Sequence, residues 1–172
     1  KSDSGIYLGG NFTAINSTSR GRIAEVDTLF GGLLSWNPNA NSDVSKITEI
    51  ENKLYIAGSF STIFGQTRNR VAMLSKTTRL LTPWSPNVSS TVEDIDGIGN
   101  RLFLIGSFTT VNGVARSQFA ELDTLGTGTL QAFYPFTVSP DFNTVKVIDG
   151  RLYLGCGLIS SGVMGKYRSG VV

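Results

Sequence analysis

The sequence predicts an all-β fold of short antiparallel strands, and two observations support this prediction. One phrase recurs along the chain, as "IYLGGNF" at 6–12, "LYIAGSF" at 54–60, "LFLIGSF" at 102–108 and, blurred, "LYLGCGL" at 152–158. Turn-forming residues also interrupt the chain every ~8–12 residues, and apolar residues do not follow helical spacing. Four short strands in a period of about 48 residues are typical of a β-propeller blade.

The repeat is defined by several markers that keep one register. Tyr7, Tyr55 and Phe103 are each 48 residues apart, and Tyr153 follows after 50. A lone blade cannot bury both of its faces, so these positions are expected to fill the space between stacked blades. Three further sets keep nearly the same spacing: Trp36, Trp84 and Phe133; Pro38, Pro86 and Pro135; and Arg20, Arg68, Arg116 and Arg168.

The third copy shows the four predicted strands most clearly. The first strand (92–98) leads through Gly99–Asn100 into the second (101–108), as Glu51–Asn52 and Asp149–Gly150 do in other copies. Gly and Asn tolerate the positive φ that tight hairpins need. A loop with Asn112–Gly113 precedes the third strand, which alternates apolar and polar residues, and glycines turn the chain into the fourth. The third and fourth strands are predicted at 118–123 and 129–136.

The strand count predicts an arc of a propeller that is incomplete at both ends. The blades are placed at 1–41 (partial), 42–89, 90–138 and 139–172 (partial). Open blade faces would leave apolar surface in water, so the expected partners are other blades of a longer chain or neighbouring subunits. Small residues recur where neighbouring sheets are expected to approach closely, at Gly10, Gly58, Gly106 and Cys156.

Composition excludes several classes of function. The net charge is +2 with scattered Lys and Arg, so no basic stripe indicates nucleic-acid binding. No apolar run approaches the ~20 residues of a membrane-spanning helix. The sequence contains no His, which removes Ser–His–Asp and Cys–His catalysis and His-ligated metals. Cys156 has no second Cys and is expected to be a small buried thiol. No cofactor is expected.

Asp94, Asp96 and Asn100 surround Gly97 and are candidate metal ligands, because Ca²⁺ prefers several oxygen ligands on a flexible turn. The alternative is an ordinary acidic hairpin, since the later Glu of a calcium loop is missing. Aromatic residues that break the repeat, namely Tyr134, Phe136 and Phe142, are candidate ligand platforms. Trp36, Trp84 and Phe133 obey the repeat, which favours packing over sugar binding.

The recurring Arg20, Arg68, Arg116 and Arg168 stand in the loop that enters the third strand. A guanidinium offers five donors and can tie a loop to main-chain carbonyls. The alternative is a ring of positive charge that faces a ligand.

The stretch "LFLIGSFTTVNGVARSQFAELDTLGTGTLQAFYP" resembles the delta-60 repeat of bacterial surface and secreted proteins. Residues 53–86 and 6–38 follow the same pattern with departures, and the last copy departs most. The "GGNF" element is also similar to that of Rax2-like fungal surface proteins. The resemblance implies a propeller on an extracellular or cell-surface protein and implies no particular activity.

The expected function is therefore a non-catalytic structural or protein-binding module of a larger surface assembly. The alternative is a glycan- or receptor-binding element of an adhesin or phage fibre. An enzyme would require a separate catalytic domain. Sequons occur at Asn11, Asn16 and Asn87, about as many as chance predicts, and they leave glycosylation open.

Overall fold

The computed structural model describes residues 5–134, 136 and 141–157. No helix occurs in this part of the chain. The longer strands form four antiparallel sheets in sequence order, and the short strands form three two-stranded hairpins. Sheet 1 contains β1 (Gly5–Gly9) and β4 (Ile23–Asp27), and sheet 4 contains β15 (Phe142–Ile148) and β16 (Arg151–Cys156). Sheet 2 contains β5 (Val44–Ile50), β6 (Lys53–Gly58) and β9 (Val71–Ser75), and sheet 3 contains β10 (Val92–Ile98), β11 (Arg101–Gly106) and β14 (Phe119–Asp123).

Three two-residue hairpins connect the second and third strands of sheets 1 to 3. They were expected as loops. At the turns Asn16–Ser17, Phe64–Gly65 and Asn112–Gly113, both central residues have positive φ. This matches the twist that a two-residue hairpin requires. The hairpins pair β2 (Ala14–Ile15) with β3 (Thr18–Ser19), β7 (Thr62–Ile63) with β8 (Gln66–Thr67), and β12 (Thr110–Val111) with β13 (Val114–Ala115).

The predicted fourth strand is reduced to a single bridging residue in each described copy. Leu33, Leu81 and Leu130 bridge to the third strands, and the chain then leaves the sheet. In sheet 2 the cause is local, because Pro83 and Pro86 follow Leu81 and cannot donate main-chain hydrogen bonds to a ladder. The described sheets therefore have at most three strands.

The sheets stack face to face, and each junction holds an apolar cluster. Tyr55, Ala57 and Met73 of sheet 2 pack against Leu102 and Leu104 of sheet 3. The opposite face of sheet 2 packs against sheet 1, and sheet 3 packs likewise against sheet 4. The first strand β10 contacts both of the neighbouring first strands, β5 and β15. The expected filling of the junctions is confirmed for Tyr55 and Phe103, which are 0% and 2% exposed.

The recurring glycines mark a close approach, but the contact lies within a sheet and not between sheets. A Cβ on Gly58 would lie 2.0 Å from the carbonyl oxygen of Asp43, which directly precedes β5 of the same sheet. A Cβ on Gly106 would meet the oxygen of Thr91 at 2.2 Å in the same way. Leu158, Arg168, Pro135 and the end of the last copy lie outside the described residues.

Candidate binding surface

The recurring arginines lie against main-chain carbonyls of their own repeat. One terminal nitrogen of Arg20, Arg68 and Arg116 donates to the segment after the third strand, at Leu34 (2.8 Å), Thr82 (2.8 Å) and Gln131 (3.3 Å). The other terminal nitrogen donates to the carbonyl of the preceding residue. This arrangement holds the loop before the third strand to the chain that leaves it.

Asp94 and Asp96 of β10 join neighbouring sheets. Asp94 accepts from Lys46 Nζ of β5 (2.7 Å), and its other oxygen accepts from Thr144 Oγ1 (2.8 Å) and Val145 N (3.1 Å) of β15. Asp96 contacts Lys146 Nζ (3.0 Å) and Val147 N (2.9 Å) in the same way. Asp94 thus connects the first strands of three adjacent sheets, and Asp96 connects those of sheets 3 and 4.

Asp94, Asp96 and Asn100, the candidate calcium ligands, all take part in hydrogen bonds within the protein. Asn100 accepts from the main chain of Thr124 (3.0 Å) at the turn after β10. Asp94 is 7% exposed and uses both of its oxygens in hydrogen bonds. Within the described ranges, no group of three or more His, Cys, Asp or Glu side chains could hold a metal ion. The three residues act as hydrogen-bond partners in this arrangement.

The aromatic residues that break the repeat lie in the junction between sheets 3 and 4. Phe142 is 5% exposed, and its ring centroid is 4.8 Å from that of Phe136. The Tyr134 hydroxyl donates to the carbonyl of Ser117 (3.1 Å), and its ring packs against Phe136. Packing occupies these rings, so Phe142 offers no open platform to a sugar.

The aromatic residues that obey the repeat lie where each sheet meets its neighbour. Trp84 is fully buried, contacts Tyr55 edge to face, and donates from Nε1 to the carbonyl of Asp123 in sheet 3 (2.9 Å). Trp36 contacts Tyr7 with ring centroids 5.2 Å apart. Phe133 packs on Phe119.

Two buried carboxylates occupy equivalent positions on third strands, and the sequence reasoning missed them. Glu25 is fully buried and forms a two-point ion pair with Arg79 of the next sheet. Glu121 is 4% exposed and pairs with Arg101 at 2.6 and 3.1 Å, which raises the pKa of that guanidinium. The equivalent position in sheet 2 is Met73. The repeat spacing did not reveal these ion pairs, because Arg79 and Arg101 occupy different positions within their repeats.

One end of the sheets collects exposed apolar side chains, and we call it the turn face. It comprises the turns between first and second strands and the loops after the third strands. Lys76 N bonds to the Asn52 carbonyl (3.1 Å), and Thr124 N bonds to that of Asn100 (3.0 Å), which brings these turns together. Of the nine large apolar residues exposed in the described ranges, six lie here: Leu29, Phe30, Leu80, Ile98, Leu125 and Ile148.

The most exposed of these residues sit at the tip of a braced loop. Leu29 and Phe30 are 82% and 91% exposed. The Asp27 carboxylate accepts from the main-chain N–H groups of Phe30 (2.7 Å), Leu29 (3.0 Å) and Gly32, and these bonds lower the pKa of that carboxyl. The corresponding residues of sheet 2 are Thr77 and Thr78. A comparison of these loops, rather than of strands, could have found the site.

A cleft of about 490 Å³ opens beside this tip, between sheets 1 and 2. It is lined by Ile6, Tyr7 and Thr28 on one side and by β5 residues on the other. Burial, followed by the nearby Glu25 carboxylate, raises the pKa of the Tyr7 phenol. The β5 residues that line the cleft are Ile47, Thr48 and Glu49.

Comparison with known proteins agrees with this architecture. A family model described as "Domain of unknown function (DUF5122) beta-propeller" matches residues 52–74. The chain is similar to β-propellers. It aligns with the crystal structure of the computationally designed Ika4 protein at a TM-score of 0.57 and 18% identity, over 90% of this chain and 86% of that chain. This likeness concerns the fold alone.

The N-terminal domain of Nup159 aligns with a TM-score of 0.44 and 10% identity, over 92% of this chain and 41% of that one. No curated protein matches. Among the described residues, no helix has the length and apolar character needed to cross a membrane.

Proposed function

We propose that this chain is a non-catalytic β-propeller module of the delta-60 type, on an extracellular or cell-surface protein, that binds a protein partner through its turn face. One observation carries the proposal. Phe30 breaks the repeat, since Thr78 and Gly126 take its place in the next two copies. Leu29 and Phe30 are 82% and 91% exposed and stand on a loop that Asp27 braces. Aromatic anchors that need little ordering on binding dominate the energetics of many interfaces.

The surroundings of the tip support a protein partner. Contiguous apolar surface at one end of a molecule marks interaction sites more often than scattered apolar residues do. Leu80 and Leu125 extend the apolar character over neighbouring loops, and both are more than half exposed. Arg79 and Arg101, which pair with the buried Glu25 and Glu121, are about one third exposed at the same face and add positive charge beside the apolar side chains.

The test replaces the tip with the residues of the neighbouring repeat. Leu29→Thr/Phe30→Thr reproduces Thr77–Thr78 and keeps Asp27, so thermal melting should not change. Capture of surface proteins from the source cells should be lost with this variant. Val114→Thr is the matched control, because Val114 is 50% exposed on the β12–β13 hairpin away from the turn face.

Capture that survives the double substitution would contradict the proposal. A glycan ligand is the competing outcome, and single substitutions separate it from a protein. A sugar stacked on the ring would depend on Phe30 alone, so Leu29→Thr would keep glycan-array binding while Phe30→Thr lost it.

A further inference from the structure

A cavity of about 520 Å³ opens between sheets 3 and 4, at the strand ends that lie opposite the turn face. Cavities of this volume are typical of sites that bind small groups. The side chains that line it are mainly polar, and they include Glu93, Ser107, Gln118, Asp141 and Asn143. Glu93, Asp141 and Asn143 are exposed, so the cavity is open to solvent.

The residue directly before each third strand has the same main-chain conformation in three repeats. Arg22, Arg70 and Gln118 have φ angles of 61°, 72° and 64°. The N–H of each donates to the carbonyl of a phenylalanine that follows the second strand, namely Phe12, Phe60 or Phe108. The three side chains therefore start from equivalent points, and in sheet 3 an amide replaces the guanidinium.

In sheets 1 and 2, the guanidinium at this position has acceptors close by. Arg22 Nε lies 3.9 Å from the carboxylate of Asp43, the residue that precedes β5 of sheet 2. Arg70 Nη1 donates to the carbonyls of Ser59 and Phe60, which follow β6. The repeat itself thus shows that this end of a sheet accommodates a guanidinium.

The junction between sheets 3 and 4 keeps the acceptors, although an amide replaces the cation. Asp141 takes the place of Asp43 before β15, and Gln118 Nε2 donates to it at 3.4 Å. Glu93 stands where sheet 2 has Ser45, which adds a second carboxylate. Neither Glu93 nor Asp141 forms an ion pair among the residues that the structure describes. The lining therefore carries two carboxylates that a bound cation would neutralise.

We propose that this cavity binds the guanidinium of an arginine side chain from a partner polypeptide. A guanidinium has five donors in a planar fork, which matches carboxylates better than the point charge of an ammonium does. The Glu93 and Asp141 carboxylates are its charged acceptors, and the Ser107 hydroxyl and the Asn143 amide oxygen accept further donors. Charge-assisted hydrogen bonds of this kind are stronger than neutral ones. The site is separate from the turn face and goes beyond the proposed function.

The probe is the peptide acetyl-Gly-Arg-Gly-amide, added to the full chain and followed by the NMR chemical shifts of the Ser107 and Asn143 amides. These shifts should saturate. The same peptide with citrulline, which has the shape of arginine and no charge, should bind about tenfold more weakly. Free arginine carries the same guanidinium, but the acidic lining repels its carboxylate, so it should bind more weakly than the peptide.

Substitutions in the lining test the site from the protein side. Gln118→Arg restores the chain's own guanidinium at a φ angle that Arg22 and Arg70 already adopt, so it should abolish binding of the peptide. Asp141→Asn should weaken binding about tenfold. Asp149→Asn removes the same charge from an exposed turn at the other end of sheet 4 and is the control, which should bind like the unsubstituted protein. Circular dichroism verifies that each variant is folded.

Equal binding of the arginine and citrulline peptides would overturn the proposal, because charge would then play no part. Undiminished binding to the folded Gln118→Arg variant would overturn it as well, because the peptide would then lie elsewhere. Tighter binding of free arginine than of the peptide would contradict a polypeptide as the source of the guanidinium.

Discussion

At the scale of single residues, some repeated positions are buried in every copy and others are buried only in some copies. Sequence spacing cannot tell these two groups apart. Ala24, Ala72 and Ala120 recur every 48 residues on the third strands and are all fully buried. Tyr7, Tyr55, Phe103 and Tyr153 share one register, but their exposure ranges from 0% at Tyr55 to 49% at Tyr153. The difference arises because a side chain is buried only where another sheet covers it.

The alanine in sheet 2 should not tolerate a larger side chain. Ala72 lies opposite Ile56 and belongs to the cluster between sheets 1 and 2. Ala72→Leu should destabilise the protein by about 1–3 kcal/mol, since extra methylene groups force neighbours out of their preferred rotamers. Thermal melting measures the change, and Thr77→Leu on an exposed loop is the control. An unchanged melt would contradict this packing.

The arginine of sheet 2 should contribute to stability. Arg68 is 9% exposed and donates to the carbonyls of Thr67 and Thr82. Arg68→Ala should cost about 1–3 kcal/mol because both acceptors lose a buried donor. Arg116→Ala should cost less, since its contact to Gln131 is longer, at 3.3 Å. Urea unfolding measures both. Loss of partner binding by Arg68→Ala at full stability would instead favour a ligand-facing ring of charge.

At the scale of strands, the first strands are joined by charge as well as by packing. Burial raises the pKa of the Asp94 carboxyl, but the Lys46 ammonium, the Val145 N–H and the Thr144 hydroxyl together outweigh it. The pKa therefore lies below its usual value. A carboxyl with a lowered folded-state pKa adds stability above its unfolded pKa of about 4, and this stability is lost as pH falls through the folded value.

Asp94→Asn should therefore be destabilising by about 1–3 kcal/mol at pH 7, because hydrogen bonds to the carboxylate are weakened. The difference from the unsubstituted protein should shrink as the pH falls below about 4, as the carboxylate becomes protonated in the folded state as well. Urea midpoints at several pH values measure this. Asp149→Asn, at an exposed turn, is the control, and its urea midpoint at pH 7 should differ little from that of the unsubstituted protein. If the difference in urea midpoint for Asp94→Asn did not change with pH, the proposed contribution of the Asp94 carboxylate to stability would be contradicted.

At the scale of the whole molecule, two sheet faces remain uncovered in the described residues. Ile6 is 48% exposed, although the equivalent Leu54 of sheet 2 is 2% exposed. Tyr153 is 49% exposed, although the equivalent Phe103 is 2% exposed. Both residues belong to positions that pack between sheets elsewhere in the molecule. These faces suit further sheets of the same type.

Residues 1–172 expressed alone should therefore associate, aggregate or fold only with additional blades. Light scattering and thermal melting over a range of concentrations measure this. The expected result is a mass above that of the monomer or a melt that depends on concentration, since uncovered apolar faces favour association. A stable monomer with a cooperative, concentration-independent melt would contradict the interpretation that these residues form an arc of a propeller.

The recurring strands could be predicted because every repeat has similar turn residues and a similar alternation of apolar and polar residues. In the third copy, alternation, turn residues and spacing placed the first three strands within about two residues of the observed bounds. The fourth strand predicted at 129–136 is reduced to the bridge at Leu130, because apolar side chains after a third strand fit both an extended strand and a chain that turns inward.

The sequence by itself therefore determined the repeat, the all-β character and the lack of any His side chain. Only the tertiary structure decided which side chains meet. It joined Asp94 to Lys46 and Val145, buried Phe142, and left Phe30 in solvent. The physical reason is that spacing along a strand specifies the face on which a side chain lies, whereas its exposure and partners depend on what covers that face.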